Sequence, residues 1–155
     1  MSVELNTAVP DFTLAASGGQ TITLSALAGK NVVLYFYPKD DTPGCTLEGT
    51  EFTQNLSAFA AANTVVLGVS RDSVASHDKF CQKYDYRHVL LADVDSTLCN
   101  SFGVIKEKNM YGKKVIGIER STFLINNQGV LVQQWRGVRV PGHVEAVLAA
   151  AQALN

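Results

Sequence analysis

Three short apolar runs, residues 32–37 (VVLYFY), 64–69 (TVVLGV) and 89–92 (VLLA), are continuous rather than alternating. A strand with one wet face alternates apolar and polar residues. An unbroken run reads as a strand covered on both faces, the habit of parallel sheets flanked by helices. The intervening segments supply the helices. Cys45, Gly49, Phe52, Leu56 and Phe59 recur at helical spacing, and Val74, His77, Cys81 and Tyr84 form a second stripe behind Asp72 or Ser73 as N-cap.

The flanks extend this pattern. Residues 11–14 and 21–24 around Gly18-Gly19 predict an N-terminal β-hairpin, and a short helix is expected over 96–102. A hairpin crosses Met110-Tyr111-Gly112, another joins 121–125 to 130–135 through the turn 126–129, and an alanine-rich helix spans 142–154. Right-handed crossovers then give an α/β, thioredoxin-like layout: a mixed central sheet, helices on both faces and an antiparallel hairpin at one edge. A chain of 155 residues suits one domain over 1–155 with a full core.

Composition removes several functions. A net charge of -1 leaves no basic field for nucleic acid or anionic lipid. The start, MSVELNTAVPDF, lacks the basic and apolar regions of a secretory signal, and no apolar run reaches the ~20 residues of a membrane span. A soluble, cytoplasmic protein is expected. Its three cysteines, Cys45, Cys81 and Cys99, are too few and too scattered for a disulfide scaffold, and without a CxxC pair they make no paired zinc knuckle. In a reducing compartment they are catalytic, redox-sensing or inert core thiols.

Residues 35–51, YFYPKDDTPGCTLEGTE, single out Cys45. The first apolar strand runs into a turn, Thr42 fits the N-cap and Pro43 the first helical position. Cys45 then lies in a first helical turn, where unpaired N–H groups and the helix dipole favour an anion. The competing reading is a small residue on the core-facing stripe. Ionisation alone is not enough for catalysis. An ordinary thiol is already about 3% ionised at pH 7, so full ionisation gains only ~30-fold, roughly 2 kcal/mol. Other groups must hold the electrophile and its leaving atom.

The spacing Pro38-x3-Thr42-x2-Cys45 is similar to the active-site signature of the peroxiredoxins. The longer string YPKDDTPGCTLE resembles their bacterioferritin-comigratory, or Q-type, branch, and PDFTL, RSTFLI and GHVEAVL extend the resemblance over nearly the whole chain. It implies a thioredoxin-fold peroxidase, without metal or haem cofactor, that reduces hydrogen peroxide and alkyl hydroperoxides through a Cys45 sulfenic acid. By the same resemblance Thr42 would hydrogen-bond the peroxide and Pro38 would shield the pocket. Arg120 would supply donors to the thiolate and leaving oxygen, and Glu48 would orient the arginine. Plainer roles compete: Thr42 as helix cap, Pro38 as strand terminator, Arg120 as a surface partner of Glu119.

Many members of the branch carry a second cysteine five residues after the first; here that position is Thr50. In another pattern of the branch the resolving cysteine lies on the next helix, where this chain has Cys81. The resemblance therefore implies a Cys45–Cys81 disulfide, recycled by thioredoxin or glutaredoxin in a monomer. Bridging needs α-carbons within about 7 Å, so the chain around Cys45, around Cys81 or both would have to unwind locally. Melting of the first turn over 43–49 and of part of the Cys81 helix is expected, eased by Gly44 and Gly49. Cys81 also fits core packing, and Cys99 is expected to be core, with a mixed-disulfide role open. His77 and Cys81 share metal-ligand spacing but lack further ligands nearby. His88 and His143 show nothing beyond surface or strand-end placement, and Trp135 reads as sheet packing. Two rivals stand beside the peroxidase. A dithiol–disulfide oxidoreductase would want the missing CxxC, whereas a peroxide-sensing switch or binding protein would use the same cysteines.

Overall fold

The computed structural model describes residues 3–154, apart from the side chain of Met110. In chain order its elements are β1 (Thr13–Ala16), β2 (Gln20–Thr23), β3 (Asn31–Phe36), α1 (Pro43–Gln54), α2 (Leu56–Ala61), β4 (Thr64–Ser70) and α3 (Val74–Tyr84). They continue with β5 (Val89–Ala92), α4 (Thr97–Ser101), β6 (Ile105–Met110), β7 (Lys113–Ile118), β8 (Ser121–Ile125), β9 (Leu131–Arg136) and α5 (His143–Gln152).

The three continuous apolar runs become β3, β4 and β5, paired in parallel at the centre of a seven-stranded sheet ordered β2-β1-β5-β4-β3-β8-β9. Every residue of β3 is buried, and the reason lies in its two-residue period. Val32, Leu34 and Phe36 join one core with Leu67, Val69, Leu91 and the α4 residue Leu98. Val33, Tyr35 and Tyr37 join the other with Phe52 of α1, Phe59 of α2, Phe80 of α3 and Val144 and Val147 of α5. Both faces are thus covered, α4 lying on one and α1, α2, α3 and α5 on the other.

Three expectations are corrected. The sheet carries antiparallel hairpins at both edges, not one: β8–β9 borders β3, while the N-terminal β1–β2 hairpin joins β5 through the pair Ala16 and Leu91. The stripe from Cys45 to Phe59 is also not one helix. Asn55 (φ -100, ψ 8) ends α1, and its side-chain amide donates to the Glu51 carbonyl at 2.8 Å before α2 resumes the stripe. The Met110-Tyr111-Gly112 hairpin does form, as β6 and β7. It makes its own two-stranded sheet, with Tyr111 and Gly112 both at positive φ as a tight hairpin turn requires.

The third correction concerns His88 and His143, which are buried at 4% and 7% exposure. His88 lies between the hydroxyls of Tyr35 and Thr53, and His143 contacts the Thr122 hydroxyl at 2.8 Å. Each ring bridges groups remote in sequence, so neither has a local signature. Burial pushes His88 down to about 3; burial and then the Arg120 charge push His143 down to about 4.

Both imidazoles are therefore neutral in the folded chain, whereas the unfolded chain takes up their protons near 6.5. Their contribution to stability is complete above that pH and is lost as pH falls toward the folded values. His88→Gln should flatten this loss. Between pH 6.5 and 4, its stability relative to the native chain should improve by about 1.4 kcal/mol per pH unit, read from urea midpoints. Parallel curves for the two proteins would exclude His88 as the group responsible.

Candidate active site around Cys45

The site begins where β3 stops. Tyr37 still bonds to β4, its N–H donating to Val69 O at 3.0 Å, and the chain then leaves the sheet through Pro38, Lys39 and Asp40. Asp40 is held on both sides. Its N–H donates to Asp72 Oδ2 at 2.8 Å, while its carboxylate accepts from the hydroxyls of Tyr37 (2.6 Å) and Ser76 (2.8 Å). His77 Nε2 donates to Leu91 O at 2.8 Å, and its Nδ1 shares a hydrogen bond with the same carboxylate at 2.7 Å. Both ring nitrogens are thus engaged by protein groups, so the His77–Cys81 spacing has no free nitrogen for a metal.

This anchored loop sets the entry to α1. Thr42 has the extended backbone of an N-cap and Pro43 is the first helical residue, as expected. The Thr42 hydroxyl, however, does not cap the helix. It donates to Lys39 O at 2.8 Å, which leaves its oxygen lone pairs free to accept. Cys45 follows as the third helical residue and is 2% exposed. Pro38 is exposed directly beyond the strand end.

Arg120 reaches Cys45 through strand pairing. Because β8 runs antiparallel to β3 with Ser121 opposite Phe36, Arg120 sits just past the end of β3, beside the loop that leads to α1. Its carbonyl accepts from Val138 N at 2.9 Å. From there Nη2 donates to Cys45 Sγ at 3.4 Å and Nη1 to Glu48 Oε1 at 2.6 Å. A side chain at position 44 would stand 3.0 Å from Nη2, so Gly44 leaves the space in which the guanidinium lies. Burial works to lower the Arg120 pKa, but the charges of Glu48 and Cys45 outweigh it and hold the group firmly cationic.

Glu48 has no exposed surface, and its Oε2 has no hydrogen-bond partner. Burial pushes its carboxyl up to about 7 against the pull of Arg120. The site thus joins a buried thiol, a buried acid and one cation between them. Of the expected site residues, Cys45, Arg120 and Glu48 are in direct contact, and Thr42 and Pro38 belong to the loop immediately before the helix.

Cys81 is separate. It lies half-buried on α3, facing the same aromatic cluster that Cys45 borders, and among the described residues all three cysteines are free thiols. Burial pushes the Cys81 thiol up despite a hydrogen bond from Ser17 that lowers it. Cys99 lies on α4, wholly buried in the core, and its thiol is raised still further, first by burial and then by Asp93, so core packing describes it. The sequence reading missed two features here, the Asp40–His77 pair and Tyr86, whose hydroxyl donates to the carbonyl of Thr46, the residue after Cys45. Both act across separations of more than thirty residues, for which no local pattern exists.

The chain matches the model of the AhpC/TSA family over residues 5–134. It is 56% identical over 151 residues to Peroxiredoxin Bcp of Xanthomonas campestris pv. campestris, covering 97% of this chain and 94% of that one. It is 45% identical over 148 residues to Peroxiredoxin Bcp of Bacillus subtilis, covering 96% and 94%. Among solved structures, a cysteine-to-serine mutant of Xylella fastidiosa PrxQ superposes with a TM-score of 0.94 at 48% identity, covering 99% of this chain and 98% of that one. The Xanthomonas campestris bacterioferritin comigratory protein, solved in connection with its alkyl peroxide reduction activity, superposes with a TM-score of 0.88 at 56% identity, covering 92% and 90%.

The raised value of Glu48 has a stability signature. Between the ordinary carboxyl value of 4.5 and about 7 the folded chain holds a proton that the unfolded chain has released, so stability falls as pH rises through that window. Glu48→Gln keeps an oxygen acceptor for Arg120 and removes the ionisation. Its stability relative to the native chain should shift in its favour as pH is raised from 4.5 to 7, again by urea titration. A constant difference across the window would contradict the assignment.

Proposed function

The chain belongs to the AhpC/TSA family as a peroxiredoxin of the Bcp, or Q-type, branch, and from that premise we propose that Cys45 is the peroxidatic residue of a thiol peroxidase. The observation that carries the reading is the Arg120 guanidinium, bonded to Cys45 Sγ at 3.4 Å where the sulfur occupies a first helical turn. The substrates are hydrogen peroxide and alkyl hydroperoxides, the latter by analogy with the relative whose structure concerns alkyl peroxide reduction.

The geometry supports the following reaction. The Cys45 thiolate attacks the terminal oxygen of R–O–O–H; an S–O bond forms, the O–O bond breaks and the electron pair leaves on the alkoxide or hydroxide. Sulfur is oxidised by two electrons to the sulfenic acid, and the leaving oxygen takes up a proton to depart as alcohol or water. Arg120 offers donors where that negative charge develops, a contribution separate from thiolate formation. Thr42 has committed its own proton to Lys39 O, so it meets the peroxide as an acceptor. That polarity favours the neutral hydroperoxide, whose O–H can donate. Pro38 forms the exposed rim before the helix and limits water at the mouth.

Resolution falls to Cys81. Its sulfur attacks Cys45 Sγ, an S–S bond replaces the S–O bond, and the hydroxide released takes the Cys81 proton to leave as water. A dithiol reductant, thioredoxin or glutaredoxin, then supplies two electrons and restores both thiols. The raised Cys81 thiol supports a step that begins with its exposure, because a buried, protonated sulfur is a poor nucleophile.

Two outcomes check this reading. With a dithiol reductant present the protein should consume many equivalents of hydrogen peroxide; Cys45→Ser should consume none, and Cys81→Ser should accumulate sulfenic and then overoxidised Cys45 by mass spectrometry. Stoichiometric consumption that stops after one equivalent would indicate a sensor instead. Arg120→Ala should slow peroxide attack by 10²-fold or more, on the order of 3 kcal/mol, even at a pH where Cys45 is fully ionised. Equal rates at that pH would reduce the arginine to an effect on ionisation.

A further inference from the structure

Tyr86 is bonded to the surroundings of both reactive sulfurs at once. It follows Asp85, a left-handed residue (φ 55) that ends α3, and its backbone N–H donates to the carbonyl of Cys81 at 3.0 Å. Its hydroxyl crosses to α1 and donates to the carbonyl of Thr46, the residue after Cys45, at 2.6 Å. Between these ends the ring lies flat on Gly49, where a methyl group would stand 2.6 Å from it, and it meets Phe80 edge-on at 5.0 Å. The residue is 8% exposed, so its bonds do not compete freely with water.

We propose that Tyr86 is a latch, a positioning residue that sets how readily the first turns of α1 and the last turn of α3 separate to let Cys45 and Cys81 meet. The inference rests on Cys81 resolving Cys45. Each sulfur lies on an intact helix, Cys45 on α1 and Cys81 on α3. To bridge, the chain around Thr46 must leave its place, and so must the chain around Cys81. One side chain holds the two together, so either movement breaks the Tyr86–Thr46 bond. The latch favours the closed arrangement in which Arg120 touches Cys45, and it delays the disulfide.

The latch therefore divides the two chemical steps. Peroxide attack uses the closed arrangement, which native packing already populates. Disulfide formation uses the open one, whose population the latch limits. Tyr86→Phe removes the hydroxyl and keeps the ring on Gly49, so the variant retains the buried packing. It should accelerate disulfide formation after one equivalent of hydrogen peroxide by about fivefold, the rate equivalent of about 1 kcal/mol for the lost bond to Thr46. The hydroxyl's other contact, to Thr50 Oγ1 at 3.5 Å, lies at the long limit of a hydrogen bond. The first oxidation should stay within about twofold of the native rate, and the peroxide concentration that overoxidises half of Cys45 should rise in proportion to the faster resolution.

Rapid alkylation quench with mass spectrometry reads both steps, with Cys81→Ser run in parallel. A disulfide rate unchanged or lowered in Tyr86→Phe, while Cys81→Ser forms no intramolecular disulfide, would overturn the latch and leave the resolving assignment standing. Loss of the first oxidation in step with the second would also overturn it, because that is the mark of general damage to the pocket. If Cys81→Ser still closes an intramolecular disulfide at Cys45, the resolving assignment fails and the latch falls with it.

Discussion

One guanidinium serves two buried acids, and its position is decided by strand pairing. Arg120 lies just past the register pair Phe36 and Ser121, beside the strand end from which the chain departs toward Cys45. A slip of one residue between β3 and β8 would turn alternate side chains to the opposite face and carry the arginine away from the thiol. The register is hard to lose, because Thr122, Phe123, Leu124 and Ile125 are all buried and a slip would misplace every one of them. Chemistry at Cys45 thus depends on packing throughout the middle of the sheet.

The electrostatics around that cation explain the rest of the pocket. A Cys45 thiolate and a Glu48 carboxylate together would place two negative charges against one positive charge, out of water. Isolated charges in such surroundings are costly, and each anion weakens the case for the other. At Glu48 burial outweighs the pull of Arg120 and lifts the carboxyl to about 7, and one of its oxygens has no hydrogen-bond partner. The hydroxyl of Thr42, by contrast, already donates to Lys39 and adds no donor to the sulfur. The positive side of the balance is carried by Arg120 and the first-turn N–H groups of α1.

Much of this was legible in the sequence, for a physical reason. Continuous apolar runs can arise only where both faces of a strand are covered, so β3, β4 and β5 could be placed from their own residues. The helix start at Cys45 was legible because Thr42 and Pro43 act on backbone within a few residues. What escaped depends on distant partners. The break at Asn55 leaves the apolar stripe unbroken, since α2 resumes it; its backbone angles and its side-chain hydrogen bond to the Glu51 carbonyl mark the change. The docking of β1 on β5 involves the single pair Ala16 and Leu91, too little to leave a pattern. His88 lies buried because Tyr35 and Thr53, far off in the chain, supply its hydrogen bonds. The competition for the Thr42 hydroxyl was visible, but its outcome required the position of the Lys39 carbonyl.

The same contacts decide which end of α3 yields if Cys81 is to reach Cys45. The first half of that helix is firmly held: Ser73 caps it through Ser76 N, and His77 is buried between Asp40 and the Leu91 carbonyl. Leaving buried hydrogen-bonding groups of this kind without partners is unfavourable, so unwinding from the N-terminal end is opposed. The last turn has weaker ties to the active-site loop. Lys83 and Tyr84 meet Asp41 at the surface, where such pairs contribute little. Past them Tyr86 ties the chain to the first turns of α1, while His88 holds Thr53 near the far end of that helix. Fraying from the C-terminal end therefore frees Cys81 after one turn while Asp40 and His77 keep the loop before Cys45 in place, so the closed site can re-form around the arginine once the disulfide is reduced.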